Sequence, residues 1–207
     1  METPMCKCGK HPATYNPITD SWELCSVCKG ELSQSNIMQE IESMFGRKYR
    51  SASLSDYKPS VTQSLHEDVL DTVSNNLLLT GASSTGKTYL MAAMCSEMLL
   101  SGKVHTCEYV NTIQLYCVIG ADITQFERMV NTYTDCDVLF MDEYVNPKTV
   151  WEERLLYLIL ENRKNDMKVT VSASNLDPKE INGRFLSRLL ENNGVHYVIT
   201  RECWNGK

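Results

Sequence analysis

The chain has no apolar run long enough to cross a bilayer and no excess of basic charge: over 207 residues the formal net charge is −6. The first absence removes helical membrane spans from consideration. The second removes a domain-wide cationic surface for nucleic acid, because residues 1–60 carry seven Lys/Arg against seven Asp/Glu and residues 61–207 carry 13 against 19. Any contact with DNA then needs a local strip such as Arg47-Lys48-Tyr49-Arg50, or a pore formed on assembly. No solenoid period and no low-complexity segment is found along the chain. The start, Met1-Glu2-Thr3-Pro4-Met5-Cys6, lacks the charged and apolar regions of a signal peptide, so a cytoplasmic location is expected.

What is present is a globular composition, 43% hydrophobic and 22% charged, enough for one main core and a small module beside it. Nine cysteines in a cytoplasmic chain are expected to be reduced or metal-bound. Four of them cluster as Cys6-x-Cys8 and Cys25-x-x-Cys28, while those at 95, 107, 117, 136 and 203 are scattered. Four thiolates around one zinc ion would order a segment whose few hydrophobes, Tyr15, Ile18, Trp22, Leu24 and Val27, cannot build a core alone. Turn chemistry between the pairs, at Pro12, Asn16-Pro17 and Thr19-Asp20, suggests two knuckles joined by a short hairpin. The first pair has one intervening residue where zinc ribbons usually have two. His11 is therefore a reserve ligand in place of Cys6 or Cys8, and free thiols or a redox pair are the competing reading. With four protein ligands such a site would be closed and structural.

The spacing divides the chain into a zinc-binding module over residues 1–32, a polar linker over 33–60, and a main core over 61–207. The linker contains one short helical pattern, Ile37, Ile41 and Met44. A helix over 61–74, with Leu65, Val69, Leu70 and Val73 on one face, leads into the core.

Within that core, Gly81-Ala82-Ser83-Ser84-Thr85-Gly86-Lys87-Thr88 is a full G-x-x-x-x-G-K-[ST] phosphate-binding loop. It follows the apolar run Asn76-Leu77-Leu78-Leu79-Thr80, which reads as a buried parallel strand. It precedes a helix in which Leu90, Met91, Met94, Met98 and Leu99 recur until Gly102. Backbone N–H groups of a loop opening a helix converge on one spot at the positive end of the helix dipole, so an anion is favoured there. Residues Gly81 to Thr88, with Tyr89 beside them, are the candidate nucleotide-binding set. Lys87 would reach the outer phosphates, and Thr88 would offer its hydroxyl to Mg²⁺.

Further strands are expected over Val104–Val110, Asp137–Met141, Lys168–Ala173 and Val195–Thr200, which gives a five-stranded parallel sheet in an α/β three-layer sandwich. The run ending at Met141 delivers Asp142-Glu143 to the same sheet edge as the loop. There Asp142 could share the Mg²⁺ of Thr88, and Glu143 could polarise an attacking water. Asn175, after the next strand, could bond a phosphate or that water, or simply form a turn before Leu176-Asp177-Pro178. Thr149-Val150-Trp151-Glu152 reads as a capping box opening a helix with Leu155, Leu156, Ile159 and Leu160. A helix over 178–191 carries Arg184 and Arg188 on one face, either solvated and paired with Glu180 and Glu191 or projecting into a neighbouring subunit. Tyr49 and Arg50 are candidates to bracket a base, with a plain connecting role as the alternative.

In its loop, acidic pair, polar strand end and paired arginines, the chain over about residues 45–204 resembles the AAA+ ATPases, and within them the DnaC-type helicase loaders. Tyr49-Arg50 with Asp56-Tyr57, Pro147-Lys148-Thr149-Val150-Trp151 and Gly183-Arg184-Phe185-Leu186-Ser187-Arg188 look like landmarks of the loaders. The resemblance implies ATP, Mg²⁺ and Zn²⁺ as cofactors. It also implies catalytic roles for Lys87, Asp142, Glu143, Asn175 as first sensor, and Arg188 as an arginine acting on the next subunit. Asn205 stands where such loaders tend to have a second sensor arginine, with Arg201 nearby, and Ser84 stands for a frequent loop glycine. The implied function is an ATPase, weak alone and stimulated on assembly, that loads a hexameric replicative helicase onto single-stranded DNA. It would self-associate, use the zinc module as its helicase contact, and have no helical lid after the sheet. A transposition helper that marks target DNA and a nonenzymatic adaptor or inhibitor that only binds ATP are the competing functions.

Overall fold

The computed structural model describes residues 4–5, 12–16, 21–23, 26–71, 73–118, 123–190 and 193–205. Near the N-terminus, strands β1 (Thr14–Asn16) and β2 (Ser21–Glu23) pair antiparallel with Tyr15 opposite Trp22, the hairpin expected between the two cysteine pairs. Cys6, Cys8, His11 and Cys25 lie outside the described residues. Of Cys28 only the backbone is described, in the first turn of helix α1 (Ser26–Phe45).

Helix α1 replaces much of the expected linker. Its 20 residues run without a break through the boundary placed between 32 and 33. The Ile37/Ile41/Met44 pattern is one face of this helix: Ile37, Ile41 and Phe45 enter the main core, as do Ala52, Leu54 and Tyr57 after it. Burying a side chain of that size is worth about 1.5–3 kcal/mol, so several together hold a segment whose surface is otherwise polar. The region 33–60 is therefore packed structure. Its polar residues up to 45, Ser33 and Ser35 included, belong to a long helix, and its later serines to short turns such as Leu54–Asp56, capped by Ser53.

Helix α2 (Pro59–Leu65) starts at Pro59 and passes into a π-helical turn, His66–Leu70, ending before the expected limit at 74. Strand β3 (Leu77–Thr80) is buried throughout and delivers the chain to Gly81. Helix α3 (Lys87–Ser101) follows and ends at Gly102, whose φ of 69° and N–H bond to the Leu99 carbonyl make a left-handed cap. Beyond the expected stripe, Ala92, Ala93 and Cys95 of α3 are also buried, because α1 packs against α3 in the same layer.

Strand β4 (Cys107–Asn111), helices α4 (Thr112–Val118) and α5 (Ile123–Asp135), and strand β5 (Val138–Tyr144) come next. Helix α6 (Val150–Asn165) opens with the expected capping box: Thr149 Oγ1 accepts from Glu152 N at 3.2 Å, and Glu152 accepts from Thr149 N at 3.0 Å. Strand β6 (Val169–Ser174), helix α7 (Gly183–Leu189) and strand β7 (Val195–Val198) complete the core. Helix α7 is shorter than the expected 178–191, because Asn182 caps it at Arg184 N.

All five core strands run parallel in the order β4-β5-β6-β3-β7. Strand β3 is thus an interior strand between β6 and β7, and it carries the phosphate loop to the carboxyl edge of the sheet. Leu77 and Leu79 face the layer of α1 and α3, while Leu78 faces α6 and α7. That alternation makes the expected three layers.

Candidate functional site

The loop after β3 is tight for steric reasons that can be named. Gly81 has φ 144°, and a Cβ there would stand 2.2 Å from the Ile199 carbonyl oxygen; Gly86 has φ 98°, and a Cβ there would stand 2.4 Å from the Trp204 ring. Ser84 adopts φ 61°, the left-handed region that a glycine takes without strain. Thr85 Oγ1 closes the bend on the Ala82 carbonyl at 2.9 Å.

Lys87 turns back over this loop. Its Nζ donates to the carbonyls of Gly81 and Ala82 at 2.7 and 2.8 Å and to Asn175 Oδ1 at 2.8 Å. The ammonium is buried, at 7% exposure, among neutral acceptors, so burial lowers its pKa and the charges of Asp142 and Glu143 only partly counter this. Asn175 is held at the end of β6, where Ser174 is anchored to the Tyr144 carbonyl at 2.8 Å.

On the other side of the loop, Thr88 Oγ1 donates to Asp142 Oδ2 at 2.7 Å. Asp142 is buried at the end of β5, and Glu143 N donates to its Oδ1 at 2.8 Å. At Glu143 the pairing of β5 with β6 shifts register and φ is 51°, a bulge that turns Glu143 outward while Tyr144 resumes pairing. Asn111 Nδ2 donates to the outward Glu143 carboxylate at 2.7 Å.

An aromatic wall closes the third side. Trp204 stacks on Tyr57 at 4.6 Å and lies 5.0 Å from Tyr89, while its Nε1 donates to the Thr85 carbonyl at 3.1 Å. Tyr57 donates to the Gly86 carbonyl at 2.9 Å. Tyr89 donates to Asp56, and burial with that bond pushes its pKa up to about 12. Between loop, acidic edge and aromatic wall lies an open cavity of about 410 Å³ that Tyr49 and Lys48 also line. Arg50 is turned away from it onto Glu42 at 3.3 Å, so only Tyr49 of the proposed bracket faces the cavity. Asn205 is tied to the Ser55 carbonyl at 2.9 Å, and Arg201 is exposed in the turn before it.

Arg184 and Arg188 share a face as expected, but their partners are on α6. Arg184 pairs with Glu153 and Arg188 with Glu161, each at 2.7 Å, and both guanidinium groups lie over the Tyr157 ring at 4.2 and 4.5 Å.

The edge fits a magnesium-bound nucleoside triphosphate. A buried ammonium with only neutral acceptors can serve polyphosphate oxygens, helix α3 opens at the loop, and a buried carboxylate beside a threonine hydroxyl makes an oxygen donor set suited to magnesium. The sequence reading named Tyr57 only as a family landmark, and it missed Asn111 and Tyr109, whose hydroxyl donates to Asp142 Oδ2 at 3.2 Å. A polar residue at the carboxyl end of the strand beside Asp142 was the available signal for Asn111, which pairs with Asp142 in the sheet register.

Comparison with solved structures gives the crystal structure of the DnaC helicase loader a TM-score of 0.58 at 18% identity, covering 74% of this chain and 99% of that one. The crystal structure of DnaI gives 0.61 at 20% identity, covering 74% and 90%. The chain has the AAA+ P-loop fold. In sequence, the chain is 25% identical over 139 residues to the replicative helicase loader DnaC of Escherichia coli (strain K12), 64% of this chain and 57% of the relative. It is 26% identical over 117 residues to the phage-like element PBSX protein XkdC of Bacillus subtilis (strain 168), 54% and 44%. The chain thus spans about half the length of the curated relatives it matches. No family model matches the chain.

Proposed function

We propose that the chain is an ATPase that loads a hexameric replicative helicase onto single-stranded DNA. The observation that carries this reading is the convergence, at one edge of an AAA+ sheet, of Lys87 with Asn175 and of Thr88 with Asp142. The fold and the partial sequence likeness to a replicative helicase loader support the loading role.

In this reading Lys87 exchanges the loop carbonyls for the outer phosphate oxygens, while Asn175 keeps a hydrogen bond at the terminal phosphate. A magnesium ion held by Thr88 and Asp142 would neutralise charge across the phosphates. Glu143, released from Asn111, would accept the proton of the attacking water as its oxygen bonds the terminal phosphorus and the bond from that phosphorus to the bridging oxygen breaks, with ADP as the leaving group. Arg188 of one copy would leave Tyr157 and Glu161 to reach the phosphates bound by the next, so that turnover depends on self-association.

Hydrolysis measured alone, with a replicative helicase, and with helicase plus single-stranded DNA tests this. Stimulation is expected in the last two. Arg188→Ala should lower stimulated turnover by about 10³-fold while nucleotide binding stays intact; unchanged turnover would sink the assembly claim. Two observations favour a second reading, a nonenzymatic adaptor that keeps ATP as a structural ligand: Asn205 is bound to Ser55 where such loaders tend to carry an arginine, and Glu143 is drawn onto Asn111. Binding without turnover in all three conditions would select it.

The helicase contact is assigned to the N-terminal module, with Cys6, Cys8, Cys25 and Cys28 as zinc ligands. Metal analysis of the intact chain should return one zinc per chain, lost in Cys25→Ser; metal-free protein that still binds the helicase would remove zinc from the proposal.

A further inference from the structure

Asp142 is the most heavily bonded carboxylate of the nucleotide edge. Its Oδ1 accepts the N–H of Glu143 at 2.8 Å, and its Oδ2 accepts two hydroxyls, from Thr88 at 2.7 Å and from Tyr109 at 3.2 Å. An ionised carboxylate offers about four acceptor sites, so three donors fix both its rotamer and the direction of what is left for a metal or its water. Thr88 stands in the first turn of α3, at the phosphate loop. Tyr109 stands apart from that loop, on β4, and its ring is packed from behind.

The residue that fixes it is Phe45, whose ring lies 4.5 Å from that of Tyr109 and 5.7 Å from that of Phe140, the residue paired with Tyr109 across the sheet. Phe45 is buried and is the last residue of α1, the 20-residue helix that begins beside the N-terminal hairpin. Four residues further on, Tyr49 lines the cavity itself.

We propose that Tyr109 is a positioning residue that aims the Asp142 carboxylate for magnesium, and that Phe45 aims Tyr109, so that the seating of helix α1 sets the magnesium affinity of the nucleotide site. This rests on the reading of that edge as a magnesium–nucleotide site, and it adds to that reading a route by which an event at the N-terminal module reaches the metal. The route runs through three groups joined by two contacts: the end of α1, one phenol, one carboxylate.

The test is a titration of the intact chain with a fluorescent ATP analogue, first in EDTA and then at rising magnesium. Tyr109→Phe removes one hydroxyl and keeps the ring on Phe45. It should raise the half-saturating magnesium concentration by about tenfold, as loss of an outer partner of a metal ligand does, while binding in EDTA and thermal melting without nucleotide stay at wild-type values. Phe45→Leu should shift the magnesium requirement in the same direction by a smaller factor. In the double variant it should add nothing to Tyr109→Phe, because both act through one hydroxyl. Equal magnesium requirements in wild type and Tyr109→Phe would overturn the positioning role, and independent effects in the double variant would overturn the link to α1. A wild type that binds the analogue with no magnesium dependence at all would overturn the metal-site reading itself, a result distinguishable from either.

Discussion

Two cations are buried at opposite ends of the same sheet, and they are treated differently. Lys87, at the carboxyl ends of β3 and β6, donates to two carbonyls of its own loop and to one side-chain amide, all beside the open cavity. Arg163, at the other end, is 1% exposed and lines none of the cavities among the described residues. Its Nε donates to Thr170 Oγ1 at 3.0 Å, and its two terminal nitrogens bond the carbonyls of Tyr133, Cys136, Asp137 and Val169. These carbonyls lie at the end of α5 and the starts of β5 and β6, where no ladder or helix serves them all. The planar guanidinium answers a fixed set of acceptors, while the ammonium on its flexible stem can change partners. One end of the sheet is sealed by its cation, and the other is held ready by its own.

The comparison breaks most visibly if Arg163 can be dispensed with. Arg163→Met retains much of the apolar stem but strands the carbonyls the guanidinium served; at about 1–3 kcal/mol for each unpaired buried group, a loss of about 3–5 kcal/mol is expected. Against a total stability of about 5–15 kcal/mol, that lowers the denaturation midpoint severely. Urea unfolding measures it, and a midpoint near that of wild type would remove the sealing role. Lys87→Met should behave in the opposite manner. The loop carbonyls border open space and can turn to water, so stability should change by less than about 1 kcal/mol. Nucleotide affinity should fall about 100-fold, the scale of a lost charge-assisted contact worth about 3 kcal/mol. Parallel titration calorimetry and unfolding separate the two; equal stability losses in both variants would erase the distinction.

The open end was far more legible in the sequence than the sealed one. The phosphate loop is eight consecutive residues whose chemistry is local, and Asp142 and Asn175 each end an apolar run, so strand ends alone brought them to one edge. Asn111 and Tyr109 matter through the register of β4 against β5, which pairs residues about thirty apart and leaves no mark in either segment alone. Arg163 sits in the last turn of α6 among Asn162, Lys164 and Asn165, where a charged residue reads as solvated; only the crossing of α5, β5 and β6 makes it interior. Helix α1 was visible as a periodicity, yet the polar residues around it read as a tether, because the face of α3 that covers it cannot be seen from residues 33–60. For Arg184 and Arg188 the sequence leaves open solvation, pairing with Glu180 and Glu191, or projection into a neighbouring subunit; the described bonds run to Glu153 and Glu161 on a different helix, and Glu191 lies outside the described residues.

The smallest effect belongs to the sealed end as well. Asp137, whose carbonyl serves Arg163, uses its carboxylate to accept the backbone N–H groups of His105 at 2.9 Å and Thr106 at 3.0 Å, bracing the turn that enters β4. The bond from His105 leads in holding its pKa below the ordinary aspartate value, against a lesser effect of burial. A carboxyl depressed in the folded state contributes stability that is complete above its unfolded pKa and is lost as pH falls through the folded one. Asp137→Asn keeps an acceptor oxygen and removes the charge. The wild type should therefore exceed this variant in stability at pH 7 by less than about 1 kcal/mol, a margin reduced by solvent screening of a partly exposed group. The margin should shrink toward zero as pH falls below the ordinary aspartate range. Urea midpoints for the pair between pH 7 and pH 3 measure it. A margin that stays constant would mean that the charge on Asp137 does nothing for the turn, leaving the cations of Arg163 and Lys168, which bond carbonyls at the end of α5, to hold that end of the sheet.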